Sequence, residues 1–248
     1  MEIPAETVAR LESENKDHRC ADHPESCVWI HAIAKLPTRF GSYQVVAFEN
    51  GWDHRDHAAF VHGNVVDASE VPLRIHSECL TGDAIGSLRC DCRDQLIDSL
   101  EAIGKMERGL VLYLRQEGRG IGFANKIRAY ELQDAGYDTV QANEMLGFNP
   151  DERDYAIAAH MLHSLHVRSV RVLTNNPDKI EDLKRHGVEV VGRIPLIIPP
   201  NAYDRPYLIT KQRRLGHLLD LEQEEESAAE APGSPSGPAS PGATNPTG

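Results

Sequence analysis

The run SVRVLTNNPDKIEDLKRHGVEVV, residues 169–191, reads as strand, helix and strand. Its ends are β-branched apolar runs, and its middle carries helix punctuation: Asn176 as N-cap, Pro177 at the first helical position and Gly187 just past the end. Such a unit brings its second strand back parallel to the first, which predicts an α/β fold. Thr174 and Lys179 fall at the carboxyl end of the first strand and in the first turn of the helix, where anions bind in open α/β sheets. The plainer alternative is a capping Thr and a surface Lys.

The same grammar recurs upstream. LVLYL, residues 110–114, has the length and continuity of a buried strand, RQEGRGIG follows, and FANKIRAYELQDAG then reads as a helix stopped by Gly136. Strand, glycine-rich turn and helix is the layout of phosphate sites. G-R-G-I-G alone is a weak signal, because a tight turn needing positive φ selects the same residues; Glu117 and Arg119 favour the functional side. Phe123, Ile127 and Tyr130 fall at i, i+4 and i+7, so Tyr130 also fits a core aromatic. Asp151 is the expected N-cap of a further helix whose apolar face includes Tyr155, Ala158, Leu162 and Leu165. That puts Arg153 in the first turn, where it opposes the helix dipole and needs another reason to be there.

RIHSECLTGDAIGSLRCDCRDQ, residues 74–95, gathers Cys79, Cys90 and Cys92, three of the five cysteines, within fourteen residues. Structural zinc sites close a tetrahedron with four Cys or His, whereas catalytic ones keep three protein ligands and a place for water. On an extended segment Cys90 and Cys92 would project to one side, and Cys79 could return to them across Thr81, Gly82 and Asp83. His76 is a candidate fourth ligand, which would make the site structural. Three reduced core thiols are the bland alternative.

Trp29 to Val66 alternates apolar and polar residues in SYQVVAF and AAFVHGNVV and reads as antiparallel strands, with His54, His57 and His62 as solvated loop or strand-edge residues. The expected architecture is α/β: a layered mixed sheet with flanking helices and antiparallel N-terminal strands. Residues 1–30, with Cys20, Cys27, His18 and His23, read as a loosely packed extension, 31–220 as the functional domain, and 221–248, acidic and then rich in Pro, Gly and Ser, as a disordered tail. A short basic segment after Tyr207 reads as the last helix of the domain. The N-terminus is acidic and polar and no apolar stretch is long enough to span a bilayer, so a cytoplasmic protein without a membrane partner is expected. Of the formal charge of −12, six acids after Arg214 account for half. That balance argues against nucleic acid, while Arg74, Arg89, Arg93, Arg115, Arg119, Lys126, Arg128 and Arg153 near the motifs suggest a small anionic ligand.

Together RIHSECLTGDAIGSLRCDC, LRQEGRGIGFANKIRAYELQDAGYDT, NPDERDY and LTNNPDKI resemble GTP cyclohydrolase II, over about residues 35–220. The family often carries a butanone-phosphate synthase domain upstream; the roughly 30 residues here match its stand-alone form. The resemblance implies one Zn²⁺ per chain on Cys79, Cys90 and Cys92, and Mg²⁺ with the phosphates of GTP. It implies nucleotide contacts at Arg74, Ile75, His76, Ser77, Glu78, Gln95, Glu117, Gly118, Arg119 and Thr139, and phosphate contacts at Thr174 and Lys179. Asp151 matches a proton acceptor, Arg153 a residue acting on the α-phosphate, and Tyr130 a tyrosine of the ring chemistry. The implied reaction opens guanine's imidazole ring at C8 and releases formate and pyrophosphate, the first step of riboflavin synthesis, in a homodimer. One rival is a relative that opens the ring but retains the formyl group, against which Tyr130 argues, or that serves a secondary-metabolite pathway; the other is a zinc-stabilised nucleotide or nucleic-acid binding module, which needs four ligands and a basic surface.

Overall fold

Period-two patterning buries one face of each strand, and residues 41–62 follow it: the burial of β2 (Gly41–Asn50) and β3 (His57–His62) alternates along the chain. With β1 (Val28–Thr38) they form an antiparallel meander. The computed structural model describes residues 2–16, 27–149, 151–196 and 218, and within them the strands make one seven-stranded sheet in the order β1-β2-β3-β5-β4-β6-β7. β5 (Gly109–Leu114) pairs antiparallel with β3 and parallel with β4 (Val71–Ser77), and β6 (Ser169–Leu173) and β7 (Glu189–Ile194) continue the parallel half. The carboxyl ends of β4, β5 and β6 therefore open on one edge. β4 lies between β5 and β6, so the connections diverge around it, and that switch point is where open α/β sheets hold ligands.

Helices cover both faces. Leu110, Leu112 and Leu114 of β5 join a large core with α6 (Ala156–Ser164), α7 (Pro177–Arg185) and α1 (Ala5–Lys16). Val111 points the other way, into a smaller core with Tyr43, Ile103 and Leu173 under α3 (Cys92–Gly104). The unit expected at 169–191 is β6–α7–β7: the Asn176 side chain accepts the Asp178 N–H at 3.0 Å, Pro177 opens the helix, and Gly187 follows it at φ 81°.

Three expectations are corrected. The N-terminal stretch is not loose over residues 2–16: α1 buries Leu11 completely, and Asn15 accepts the Ile30 N–H at 3.0 Å. Asp151 does not cap α6, which starts at Ala156 with Asp154 accepting the Ala156 N–H at 2.7 Å; Asp151 and Arg153 stand in the loop before it. His57 is buried, not solvated, because its Nδ1 accepts the Arg115 N–H at 3.1 Å and its Nε2 lies 3.3 Å from Asp53. The segments of Cys20, His18, His23, the basic helix after Tyr207 and the tail lie outside the described residues. None of the described helices is long and apolar enough to cross a membrane.

The buried His57 makes stability depend on pH. Burial lowers its pKa, outweighing the upward pull of Asp53. An imidazole depressed in the folded state binds protons more readily once unfolded, so stability is full above the unfolded pKa of about 6.5 and falls as pH drops below it. Melting temperature should decline between about pH 7 and 5.5, and the decline should be shallower in His57→Gln. Equal slopes for the two proteins would refute this origin.

Candidate active site

Cys79 comes two residues after the end of β4 and is the N-cap position of the single turn α2 (Leu80–Asp83), while Cys90 precedes α3 and Cys92 is its first residue. Cys90 and Cys92 thus converge through a helix start, not the extended segment expected. The Cys79 and Cys90 sulfurs are 3.7 Å apart, and all three sulfurs lie within 4.8 Å of one another. A tetrahedral zinc with Zn–S bonds of about 2.3 Å has sulfur–sulfur edges of about 3.8 Å, so the triangle fits the ion. A Cβ at Gly82 would stand 3.0 Å from the Cys90 sulfur and 3.1 Å from that of Cys79, so only glycine leaves this cradle open. His76 is not part of the cluster: its Nε2 contacts Asp83 at 3.0 Å, while Asp83 also accepts the Tyr113 hydroxyl at 2.8 Å and the Cys79 N–H at 3.0 Å. As bare thiols the three share protons unequally. Hydrogen bonds from Cys90 and Cys92 lower the Cys79 pKa, and the same bonds push Cys90 up to about 11 and raise Cys92.

Against this cluster lies Lys126 of α4 (Phe123–Asp134), a residue that apolar periodicity does not single out. Its ammonium is 3.1 Å from the Cys79 sulfur, 2.9 Å from the Thr81 hydroxyl and 2.8 Å from Glu117. Burial opposes the charge, but the Glu117 hydrogen bond and Cys79 outweigh it and raise the pKa. Phe123 and Ile127 are exposed, while Lys126, Ala129, Tyr130 and Gln133 line the cavity, so Tyr130 belongs to a row turned to the site and not to a core with Phe123 and Ile127. The Tyr130 hydroxyl is 3.3 Å from that of Thr81, and Arg89 lies over the Tyr130 ring. Lys126 precedes Tyr130 by one helical turn, and that i, i+4 spacing is the signal that could have found it.

The glycine-rich turn forms a short 3-10 helix, Glu117–Gly120, in which Gly118 and Arg119 both adopt positive φ, 64° and 60°. The loop carrying Asp151 and Arg153 docks on this turn: the Glu152 N–H donates to the Arg119 carbonyl at 3.0 Å. Asp151 and Arg153 form an ion pair. Burial raises the Asp151 pKa, yet the hydrogen bonds and charge of Arg153 leave it lowered. Lys179 is buried, not a surface residue, with its ammonium 2.9 Å from the Ile75 carbonyl and over the Tyr155 ring. Arg74 donates to the Leu173 carbonyl at 3.1 Å and to Gln95 at 2.6 Å, tying β4 to β6 and α3. Its Nε, the His76 Nδ1 and the Ser77 hydroxyl are buried without a hydrogen-bond partner, the pattern of groups built to meet a ligand.

One cavity is lined by the three cysteines, Tyr130 and Arg153, and also by Arg74, His76, Ser77, Glu78, Gln95, Glu117, Gly118, Arg119, Thr139, Thr174 and Lys179. Of the expected residues only Ile75, which offers its carbonyl to Lys179, and Asp151, behind Arg153, are not on its wall. Lys126 and Arg89, expected only as basic residues near the motifs and given no role, line it too, and Asn143 of α5 (Thr139–Met145) lines it unforeseen.

A mixed sheet whose strands end at a cavity walled by three thiols and by Lys and Arg side chains defines an α/β enzyme site for an anionic ligand, with a thiolate set able to hold a metal. The sequence model of the GTP cyclohydrolase II family matches residues 30–195, and the chain belongs to that family, whose members are hydrolases. It is similar to GTP cyclohydrolase-2 of Picrophilus torridus, 54% identical over 77% of this chain and 98% of that one. GTP cyclohydrolase-2 of Tolumonas auensis is 53% identical over 78% of this chain and 98% of its own. The riboflavin biosynthesis protein RibBA of Synechocystis is 52% identical over 75% of this chain, which spans only 34% of that longer protein.

Proposed function

We propose that this chain hydrolyses GTP, opening the guanine imidazole ring at C8 and releasing formate and pyrophosphate, as the first step of riboflavin synthesis in the cytoplasm. The observation that carries the reading is one cavity lined both by the Cys79–Cys90–Cys92 triangle and by Lys179 and Arg153. It suits a ligand with a ring to be hydrolysed and a phosphate chain to be held. Cys79, Cys90 and Cys92 would hold one zinc, which supplies a Lewis acid that lowers the pKa of water toward about 7. Mg²⁺ would enter with the phosphates.

The protein's own groups divide between two hydrolyses. Tyr130, hydrogen-bonded to Thr81, holds a proton at the ring end. Lys179 and Arg153 take up charge as the bond between the α- and β-phosphates breaks. Arg153 acts as a charge clamp, because guanidinium stays protonated above pH 12. Asp151 is a weak base while it pairs with Arg153, and it becomes a proton acceptor when a phosphate draws that guanidinium away.

Incubation with GTP, Mg²⁺ and zinc should yield formate, pyrophosphate and a diaminopyrimidine nucleotide in equal amounts. A product that retains the formyl mass would replace this reading with the formyl-retaining one. The proposal includes a homodimer, since Ile85, Leu88, Phe123 and Met145 are large apolar side chains left exposed at 77%, 57%, 45% and 55%. Light scattering that gives the 27.5 kDa mass of a single chain would end that part.

A further inference from the structure

We propose that Lys126 is a positioning residue for the ring-opening end of the site, a buried ammonium that binds the first sulfur ligand, the Glu117 carboxylate and the Thr81 hydroxyl together and so sets what Tyr130 presents to the cavity. The inference rests on the function proposed above. An ammonium has three donors and no acceptor, and all three are placed: Cys79 Sγ at 3.1 Å, Thr81 Oγ1 at 2.9 Å and Glu117 Oε1 at 2.8 Å. Glu117 is in turn held by the Gly118 N–H at 2.9 Å and the Leu80 N–H at 2.6 Å, so the glycine-rich turn and the turn after Cys79 are fixed to each other through one carboxylate.

The hydrogen-bond directions add a second consequence. Because Lys126 can only donate, Thr81 accepts from it and keeps its own hydrogen to give. Its two candidate acceptors are the Tyr130 oxygen, 3.3 Å from Thr81 Oγ1, and the Cys79 sulfur, 3.7 Å from it. With the sulfur engaged by a cation, Thr81 donates to Tyr130, and the Tyr130 O–H is left to donate into the cavity its side chain lines. Lys126 therefore makes Tyr130 a donor toward the ring.

The test pairs Lys126→Met with Glu117→Gln, so that no buried carboxylate is left alone, and measures zinc release to a chelator, the thiolate-to-metal absorption of the cobalt(II) protein, and formate production. The double variant should release zinc about tenfold or more faster, the scale of losing a group behind a metal ligand. It should also shift the cobalt band and lower kcat for formate. Lys126→Arg should restore zinc retention. Thr81→Val, which cuts the branch to Tyr130 and removes one of the three Lys126 acceptors but leaves the ammonium on Cys79 and Glu117, should lower formate production about tenfold with zinc retention intact. Should the double variant fail to fold, Thr81→Val decides alone: unchanged formate production overturns the inference. Wild-type zinc release in a folded double variant overturns it too, and leaves the proposed function standing. A wild-type protein that neither holds zinc nor releases formate would fail the proposed function first.

Discussion

Cys90→Ser should lose its zinc and make formate at least about 10³-fold more slowly, the scale of removing a principal charge-stabilising group from a site. The serine hydroxyl is a poor ligand for zinc beside two thiolates, and the remaining Cys79 and Cys92 cannot by themselves close the tetrahedron. A sharper version uses Gly82→Ala, which leaves every sulfur in place. Its methyl group would sit 3.0 Å from the Cys90 sulfur, 3.1 Å from the Cys79 sulfur and 3.0 Å from the Cys92 Cβ. Thiols without a metal could each give a few tenths of an ångström, but sulfurs pinned on one ion cannot move apart without stretching its bonds. Gly82→Ala should therefore bind zinc about 10–100-fold more weakly, with near-normal folding in the zinc-free state. Metal analysis of dialysed protein and a formate assay measure both variants. Formate release that survives in zinc-stripped Cys90→Ser would sink the ring-opening mechanism.

What the chain discloses without a structure depends on how local the cause is. The β6–α7–β7 unit was legible because Asn176, Pro177 and Gly187 act within one or two residues of themselves. The antiparallel strands were legible because alternation needs only neighbours. By contrast VPLRIHS at β4 gives no strand signal: Arg74 and His76 count as polar in any pattern, yet both are buried, and Gln95, the Leu173 carbonyl and Asp83 bond them from outside the strand. The start of α6 was misplaced for a related reason. Asp151 has the right chemistry for a cap, but Arg153 claims its carboxylate, the N-cap position falls on Tyr155, and Asp154 just before it accepts the Ala156 N–H. Lys126 was legible as a basic residue near the motifs, but its role escaped because its three partners come from residues 9 to 47 positions away. Chemistry-bearing types at motif spacing were readable; the bonds that orient them were not.

Gly120→Ala should impair the phosphate end as Gly82→Ala impairs the metal. Gly120 has φ +95°, and a Cβ there would stand 2.8 Å from the Glu152 carbonyl oxygen and 3.0 Å from its carbonyl carbon. Those are backbone atoms, so relief requires the loop to move as a body. That loop holds its register through the Glu152 N–H on the Arg119 carbonyl and through Asn149 on the Glu152 carboxylate, 2.8 Å away. Displacing it carries the Asp151–Arg153 pair away from the cavity that Arg153 lines. A shift of about 1 Å in a positioned group can cost about 10²-fold, and pyrophosphate release should fall by that order. Zinc content and the cobalt spectrum should stay at wild-type values, because the thiol triangle is built on other segments. Gly136→Ala separates strain from collision: Gly136 has φ +98° with nothing within 4 Å of its Cβ. It should lose about 1–2 kcal/mol of stability for a left-handed alanine and keep its turnover. If the two alanine variants lose stability and activity alike, backbone strain explains both, and the docking of the Asp151–Arg153 loop on the glycine-rich turn does not govern the phosphate step.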